Sequence, residues 1–544
     1  MFKHPKALPY LFLTEMWERF GYYLMIGIFL LYMTDPQGGL GFSRSMGSDV
    51  YGTFIALAYL TPFVGGLLAD RLLGFRLSIV IGGILMGIGY LLLSVPHNLT
   101  TFYTALFIMV LGNGFFKPNI STLLGNLYNE DRYRDKKDDG FSIFYMGINL
   151  GALICNFIAA YLRNNYGWGY AFAAAGIGMF VGVGIFLLGS RHYKHADVRR
   201  EAAPNEGGVG VLLSSVLLPA LVTGVLAWNI PGNIFGSDST DAFLFGALPV
   251  VGFYLWILKK AAVEEKSRIR ALLAVYGVVI VFWAVFKQNG TALTTWAEFY
   301  TDRSMAPALE TVAKSLGATQ KAIYQEGTFP IYDSQFRTRT GPDGKIVQGY
   351  TMHPYFLNMP EDKRPAPGTT IKVVSTEIFQ SVNPFFVLVL TPLLIFVFTW
   401  LRSKKREPTT PGKIGWGLII SALSTLVTIA AVYSCHNGAE KASSWWIIAT
   451  YGVITIGELC LSPMGLSMVS KMAPPRLAGL MMGGWQLATS LGNKLSGVLA
   501  KMWDNYDDKS HFFMVNFVML SIAALTLFAM LRWLNNIFKE QGIH

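Results

Sequence analysis

Residues 10–34 read YLFLTEMWERFGYYLMIGIFLLYMT, an apolar run of membrane-spanning length that carries Glu15, Glu18 and Arg19 near its centre. A transmembrane helix needs about 20 mostly apolar residues. Charges at membrane depth are costly, so they usually face a bundle interior or a watery cavity and mark the path of an ion or polar substrate. At about 100° per residue, these three charges and Tyr22 share one face of a helix. We therefore predict that this helix turns a charged face toward the interior of a helical bundle.

The whole chain has the composition of a membrane protein. Of its 544 residues, 52% are hydrophobic and 14% are charged, whereas soluble domains carry about 25% charged residues. Lys3 and Lys6 precede the first run as in a signal peptide, but the charges inside it favour a retained helix. The sequence predicts an all-α polytopic membrane protein with about fourteen spans. They lie near 10–34, 50–70, 78–95, 101–124, 141–163, 169–188, 209–229, 242–258, 271–289, 378–401, 412–434, 444–468, 477–500 and 512–536.

Basic residues cluster in loops that would all lie on one side of the membrane. These loops fall within 71–76, 132–137, 191–200, 259–270 and 402–413. Short loops rich in Lys and Arg stay in the cytoplasm. We therefore expect a multi-pass protein of the cell's inner (plasma) membrane with both termini in the cytoplasm. The net charge of +11 is interpreted as setting this orientation, and not as a nucleic-acid-binding surface.

The spans divide the chain into two sets of six with two extra spans between them. Residues 1–190 are predicted to form an N-terminal six-helix bundle, and 191–270 a linker with two extra transmembrane helices. Residues 271–289 and 378–538 are predicted to form a C-terminal six-helix bundle. The three cysteines lie within or at the end of spans, so a disulfide framework is not expected.

Residues 290–377 remain as one large extracytoplasmic insertion in this topology. The stretch is polar and has the turn sequence Gly341-Pro342-Asp343-Gly344 between two short β-like runs. We predict a small folded cap or hairpin, with a flexible excursion as the alternative.

The loop after the second predicted span has a recognisable pattern of charges. It reads Gly66-Leu-Leu-Ala-Asp70-Arg71-Leu-Leu-Gly74, in which an acid at a helix end precedes a basic residue and a glycine turn. This pattern resembles the signature loop of the major facilitator superfamily, and the six-plus-six organisation strengthens the resemblance. It implies the major facilitator fold, in which two six-helix bundles rock about a site near the middle of the membrane.

Further motifs resemble a branch of that superfamily, the proton-dependent oligopeptide transporter family. The first helix has E-x-x-E-R-F-x-Y-Y at 15–23, matching at every defined position. Other matching segments are Lys117-Pro118-Asn119, Phe144-Tyr145-x-x-Ile148-Asn149-x-Gly151, Phe379-Gln380-Ser381-Val382-Asn383-Pro384, Gly457-Glu458-Leu459, Ser462-Pro463 and Trp485. The resemblance covers nearly all of the chain outside the insertion.

The resemblance implies a symporter that imports di- and tripeptides with protons by alternating access. Proton coupling is expected at Glu15, Glu18, Arg19 and Lys117, with the two carboxylates holding the two cations until one carboxylate is protonated. The peptide carboxylate is expected to bind Arg19 and Lys117, helped by Tyr22, Tyr23 and Tyr59. The peptide amine is expected to bind Glu458, and Asn149 and Asn383 are expected to bind the amino-terminal and backbone polar groups. Ser462 and Trp485 are expected to line the pocket. A short zwitterion bound in this way would bridge the two bundles.

The chain departs from the family pattern at two positions. Ile26 stands where members usually have Arg, and Lys287 stands where they usually have an acid. Those two residues typically form an outer-gate salt bridge, which cannot form here. Lys287 is predicted to snorkel near the outer end, to pair with Glu377 in a swapped gate, or to take part in proton transfer while deprotonated.

Other functions stay open. The chain could be a peptide facilitator or a sensor with weak or altered proton coupling, or a transporter of another small anion or zwitterion. A membrane enzyme is disfavoured because the insertion has His353 as its single histidine and no cysteine, and we find no nucleophile–base or metal-binding spacing. The expected partners are peptides, protons and the lipid bilayer. We expect a monomer with no metal or cofactor other than the coupling proton.

Overall fold

Within the residues that it describes, the structure, a computed structural model, contains fourteen helices of 11 to 32 residues. It describes residues 4–540 except 96–97, 134–135, 199–209, 211–212, 306–310, 312, 342–345 and 475–476. The helices are α1 (Leu8–Thr34), α2 (Arg44–Leu68), α3 (Phe75–Leu93), α4 (Leu99–Leu127), α5 (Lys137–Tyr166), α6 (Trp168–Gly189), α7 (Leu218–Trp228), α8 (Asp238–Lys260), α9 (Val263–Phe286), α10 (Val382–Ser403), α11 (Thr410–Ser434), α12 (Ser444–Met472), α13 (Ala478–Lys501) and α14 (Lys509–Glu540). The predicted number of helices is confirmed.

The helices form two bundles of six. In the first bundle, α1 packs against α5 and α6, and α4 against α2 and α3; in the second, α11 packs against α12 and α14, and α9 against α13 and α14. Each bundle has its own apolar core. Helices α7 and α8 pack mainly on each other. This arrangement is the predicted all-α fold of two six-helix bundles with two extra helices.

Three of the long helices are more polar than the others. Ten helices are long and apolar enough to cross a membrane, counting only described residues. Helices α1, α2 and α13 are as long, with 27, 25 and 24 residues, but they are more polar. Since polar residues at membrane depth avoid lipid, these three helices are expected near the centre of the molecule.

Helices α2 and α13 join the two bundles along their length. A Cβ atom added to Gly52 would lie 2.8 Å from the Cα of Gly497, so the two backbones touch. The Ser490 hydroxyl donates to the Ala56 carbonyl at 2.6 Å, and Lys494 Nζ lies 2.9 Å from Asp49 Oδ1. Small residues that permit close packing and interhelical hydrogen bonds commonly stabilise the association of membrane helices.

The insertion is folded, as predicted, and not a flexible excursion. Strand β2 (Thr319–Ile323) pairs antiparallel with β5 (Thr370–Val374), and β3 (Glu326–Pro330) pairs antiparallel with β4 (Gln348–Met352). Two shorter strands, β1 (Thr301–Asp302) and β6 (Ala442–Ser443), pair in parallel and attach the start of the insertion to the entrance of α12. Within the predicted turn, Pro342, Asp343 and Gly344 lie outside the described residues.

The insertion covers one end of both bundles, which we call the insertion end. On the first bundle, Arg44 Nη2 donates to the Phe336 carbonyl at 2.8 Å, and Asn164 Nδ2 donates to Ser375 Oγ at 2.7 Å and to the Thr319 carbonyl at 3.1 Å. On the second bundle, Arg337 pairs with Asp507 in the loop before α14. The insertion thus bridges the bundles.

Parts of two predicted features are not among the described residues. The side chains of Asp70 and Arg71, which carry the signature-loop pattern, lie outside the described part of the structure, as do Arg134, Arg199 and Arg200 of the basic loops. The predicted membrane orientation and the boundaries of the four parts stay predictions.

The contact between α5 and the insertion yields a testable prediction. Replacing Asn164 with Ala removes its two hydrogen bonds to the insertion, each worth about 0.5–1.5 kcal/mol, so β2 and β5 should open more often. Hydrogen–deuterium exchange of the full-length protein in lipid nanodiscs should show faster exchange in both strands.

Asn165→Ala is the matched control, because its amide donates to the Tyr161 carbonyl within the same helix. It should leave exchange in the insertion unchanged. Equal protection of β2 and β5 in wild type and Asn164→Ala would contradict the prediction.

Candidate functional site

The charged face of α1 is buried in the first bundle. Arg19 Nη2 donates to Glu18 Oε1 at 2.6 Å and its Nε contacts the second oxygen of the same carboxylate. The same Nε lies 3.3 Å from Glu15 Oε1. Relative exposures are 4% for Glu15, 0% for Glu18 and 3% for Arg19. The predicted inward orientation is confirmed, and the two carboxylates share one guanidinium.

Lys117 extends from α4 toward an aromatic ring of α2. Its Nζ lies 3.5 Å from the centroid of the Tyr59 ring, a cation–π contact. In the described part of the chain it makes no ion pair with Glu15 or Glu18. Lys117 interacts electrostatically with both carboxylates, but within the described residues the direct ion pairs of Glu15 and Glu18 are with Arg19.

Glu458 occupies the second bundle, on α12. Its Oε2 accepts a hydrogen bond from Asn383 Nδ2 at 3.0 Å, and the same amide donates to Thr455 Oγ1 at 2.8 Å. Asn383 lies in the first turn of α10. The structure thus brings together two predicted site residues that are 75 positions apart. No cation of the described residues lies within ion-pair distance of the Glu458 carboxylate.

Tyrosines connect the charges of the two bundles. Tyr23 lies close enough to Arg19, Tyr59 and Glu458 to interact with them electrostatically, so these groups lie in one region between the bundles. The Tyr22 ring packs edge-on against Tyr23, 5.4 Å between centroids. We call this space, bounded by Arg19, Lys117, Tyr59 and Glu458, the central chamber.

Tyr145 belongs to the chamber and was missed as a site residue. Its side chain interacts with Asn149, Tyr59 and Glu458, while the Asn149 amide donates to the Tyr145 carbonyl at 3.0 Å. Tyr145 is 45% exposed, which is expected for the wall of an open chamber. Its place in the Phe144-Tyr145 pair, one helical turn before Asn149, was the sequence signal that could have identified it.

Two predicted lining residues lie deeper in the second bundle. Ser462 follows Glu458 by one turn of α12, and its buried hydroxyl has no hydrogen-bond partner within the described residues. Trp485 is 4% exposed; its ring covers Gly465 and lies 6.2 Å from that of Tyr276. The structure places Trp485 in the bundle core, beneath the helix that carries Glu458.

The predicted atypical gate is corrected by the structure. Ile26 is 8% exposed and packs in the apolar core of the first bundle. Lys287 does not snorkel to the outer end, because its Nζ lies 5.5 Å from the ring centroids of both Tyr59 and Trp283. Glu377 pairs with Arg163 at 3.3 Å, not with Lys287. The proposed Lys287–Glu377 pair is therefore wrong.

The Arg163–Glu377 pair is one of several polar contacts that close the insertion end, and two others lie beside it. Asn156 Nδ2 donates to Ser381 Oγ at 3.0 Å, and Gln380 Nε2 donates to the Gly27 carbonyl at 3.1 Å. All three contacts join α1 or α5 of the first bundle to the helical turn Thr376–Ser381 before α10. The central chamber is therefore closed toward the insertion.

A separate cavity lies on the other side of this closure. Its volume is about 750 Å³, and Arg163, Trp168, Glu298 and His353 are among its lining residues. Burial lowers the pKa of His353, the predominant effect on this group, so its imidazole is neutral near pH 7. This cavity is a vestibule beneath the insertion.

Comparison with known proteins agrees with this geometry. A sequence model of a protein family, described as "POT family", matches residues 76–315 and 368–518 of the chain. The chain belongs to the POT family. The unmatched stretch between the two segments lies inside the insertion, where the sequence motifs also ended.

Relatives match over nearly the whole chain. The "Di-/tripeptide transporter" of Lactococcus lactis subsp. cremoris is 29% identical, over 97% of this chain and 95% of its own length. The "Peptide transporter YePEPT" of Yersinia enterocolitica is 30% identical, over 92% and 88%. A crystal structure of a mutant peptide transporter POT in complex with alafosfalin superposes with a TM-score of 0.75, at 26% identity, over 99% and 96% of the two chains. This POT family protein therefore has the major facilitator fold predicted for it.

The gate contact yields a second prediction. Removing one partner of a buried ion pair costs about 3–5 kcal/mol, and the Arg163 and Glu377 side chains are 10% and 0% exposed. Arg163→Ala should therefore shift the protein toward separation of the bundles at the insertion end. Spin labels attached at Asn165→Cys and His511→Cys report the distance between the bundles at this end. The native cysteines are buried, so the label should attach to the two introduced cysteines.

The charge-swapped double variant Arg163→Glu with Glu377→Arg should restore much of the short-distance population. Arg132→Ala serves as the control, because it removes an exposed pair with Glu130 far from the gate. Wild-type distances in Arg163→Ala would refute a gating role for this pair.

Proposed function

We propose that this POT family protein is a proton-coupled symporter that imports di- and tripeptides by alternating access. The proposed location is the cell's inner membrane, with both termini in the cytoplasm. The observation that carries the proposal is the central chamber, in which Arg19 and Lys117 of the first bundle and Glu458 of the second surround one space. The printed names of the Lactococcus and Yersinia relatives support a peptide substrate.

A short peptide has the charge distribution that this chamber complements. The termini of a di- or tripeptide are separated by about 7–10 Å at about 3.3–3.6 Å per residue. Its carboxylate would bind Arg19 and Lys117, and its amine would bind Glu458. The recognition groups are those of the peptide main chain, so different side chains could be accepted by the aromatic and wet walls.

Proton coupling is assigned to the carboxylates of α1. Glu15 and Glu18 share Arg19 and therefore titrate as a unit. A proton on Glu18 would weaken its bond to Arg19 and free the guanidinium for the peptide carboxylate. Lys117 contacts Tyr59 and forms no ion pair with these carboxylates within the described residues, so the release would act mainly on Arg19. Coupling thus works mainly through Arg19, whereas the sequence analysis expected protonation to release either Arg19 or Lys117.

The direction of transport would follow from the closure of the insertion end. The contacts that close the insertion end support a state that faces away from the insertion, from which peptide and proton would leave to the cytoplasm. The membrane potential contributes about 2.3 kcal/mol per charge per 100 mV to this step. A single chain contains both bundles and the chamber between them, so we propose that a monomer is the transporting unit, with protons as the coupling ion and no other cofactor.

A second candidate is a peptide facilitator or sensor with altered proton coupling. Lys287 favours it, because a cation occupies a chamber position where the family usually has an acid. In this alternative the peptide-binding site is the same, but peptide transport is coupled weakly or differently to proton transport.

Glu18→Gln separates coupling from binding. The neutral amide mimics a permanently protonated carboxylate, so uphill uptake of a labelled dipeptide into liposomes with acid outside should be lost. Exchange between peptide inside and outside should persist, because exchange needs no net proton movement.

Glu130→Gln is the control, because Glu130 pairs with His195 and Arg132 outside the chamber. It should leave both activities unchanged. Loss of exchange together with uptake in Glu18→Gln would contradict a pure coupling role. If uptake by the wild-type protein does not depend on the pH gradient, the result would instead favour the second candidate function, a peptide facilitator.

A further inference from the structure

The vestibule beneath the insertion has no role in the transport mechanism proposed above. Its volume of about 750 Å³ lies within the range of about 300–1,000 Å³ that is usual for small-molecule sites. Arg163 of the gate is part of its lining, so the vestibule lies directly against the gate. In the proposed orientation it is on the outside of the membrane, where substrate arrives.

Most of the charge that lines the vestibule is positive. Its basic side chains are Arg44, Arg163, Lys314, Lys321 and Lys372, and its acidic side chains are Asp35 and Glu298. Each of the two arginines pairs with an acid outside the lining, and Glu298 pairs with Arg303. The three lysines all belong to the insertion, so the wall that the insertion contributes is positive.

Two of these lysines have no acidic partner. Lys314 and Lys321 are exposed, and neither ammonium group forms an ion pair within the described residues. Lys321 stands directly opposite Lys372 in the antiparallel pairing of β2 with β5, so the two side chains leave the same face of the sheet. Like charges in directly opposite positions disfavour strand pairing, and an anion bound beside Lys321 would reduce this repulsion.

A carboxylate of the first bundle lies in the same vestibule. Asp35 accepts hydrogen bonds from Trp168 Nε1 at 2.8 Å and from the Gln37 backbone N–H at 2.9 Å. No Lys or Arg of the described chain lies within ion-pair distance of this carboxylate. The vestibule therefore presents charges of both signs to a ligand, a distribution that complements a small zwitterion.

We propose that the vestibule is an entry site that holds the carboxylate of a short peptide on Lys314 and Lys321 before the gate opens. Asp35 receives the amine of the same peptide. The inference rests on the proposed peptide transport and adds a second binding site to it. Because Arg163 lies in the lining, a captured peptide lies against the gate that it must pass. The positive wall also raises the local concentration of solutes that carry a carboxylate.

Direct binding tests the entry site. A solvatochromic fluorophore attached at Asn165→Cys reports from the vestibule wall, because Asn165 is exposed and lines the vestibule. In the full-length protein in nanodiscs at low ionic strength, alanyl-alanine should change the emission with a saturable dependence. Alanyl-alaninamide lacks the carboxylate, and inorganic phosphate has no amine for Asp35. Each should bind roughly fivefold more weakly, as expected for the loss of one exposed ion pair.

Variants locate the response. Lys314→Gln with Lys321→Gln should abolish the response to alanyl-alanine, and Lys314→Arg with Lys321→Arg should preserve it. Both positions are exposed, so these substitutions should leave the fold intact. Glu458→Gln weakens the central chamber and should leave the response unchanged. Lys363→Gln with Lys404→Gln is the matched control, because it removes two charges from exposed positions outside the vestibule.

Uptake kinetics give a second measurement. In liposomes at low ionic strength, Lys314→Gln with Lys321→Gln should raise KM for alanyl-alanine roughly threefold to tenfold, because electrostatic capture is lost. The value of kcat should not change, since the chamber and the gate keep their residues. High salt screens the lysines, so it should raise the wild-type KM toward that of the variant.

The outcomes distinguish this inference from the proposed function. The inference is overturned by a missing wild-type response, by a response that survives Lys314→Gln with Lys321→Gln, or by one that disappears in Glu458→Gln. Equal binding of the amide or of phosphate, or an unchanged KM in the lysine variant, also overturns it. In each case uptake of alanyl-alanine by the wild-type protein leaves peptide transport intact. Failure of the wild-type protein to accumulate any dipeptide overturns the proposed function and this inference with it.

Discussion

The free energy of removing charge from water constrains the centre of this protein. The effective penalty for a buried ion is several kcal/mol, and it is offset only where a partner of opposite charge is well placed. Arg19 has two carboxylates, Arg163 has Glu377, and Lys494 has Asp49. Lys287 and Glu458 lack such partners in the described structure, and both face the chamber. The Arg163 and Lys494 pairs maintain the architecture. Lys287 and Glu458 are available to a ligand directly, and Arg19 becomes available when one of its carboxylates takes up a proton.

Local features of the sequence predicted much of this arrangement. The length of each apolar run gave the fourteen helices, and helical periodicity gave the buried face of Glu15, Glu18 and Arg19. The position of Glu458 opposite these residues depends on how the two bundles approach each other, which local sequence patterns do not reveal. It was predicted from the resemblance of the motifs to those of the family. Pairings across the bundles could not be inferred in this way. Arg163 lies in the polar run Arg163-Asn164-Asn165 at a helix end, and nothing local to it indicates Glu377, more than two hundred positions away.

The insertion and the gate close the same end of the molecule. Asn164, next to Arg163 on α5, holds the insertion through Thr319 and Ser375, and Ser375 directly precedes the turn that carries Glu377 and Ser381. Any movement that separates α5 from this turn therefore also pulls on the insertion. The close contact of Gly52 with Gly497 lies on the other face of the bundle interface, between α2 and α13. Glycines there permit the bundles to tilt without a side chain to obstruct the movement.

A gate made of ion pairs suits a transporter better than an apolar seal does. A buried ion pair contributes little net stability, because its attraction roughly balances the lost hydration. When the bundles separate, Arg163 and Glu377 regain water, so the open and closed states have similar free energies. An apolar contact of the same area would expose hydrophobic surface on opening, at about 25 cal/mol per Å². The apolar Ile26 is correspondingly packed within one bundle, where transport does not need to move it.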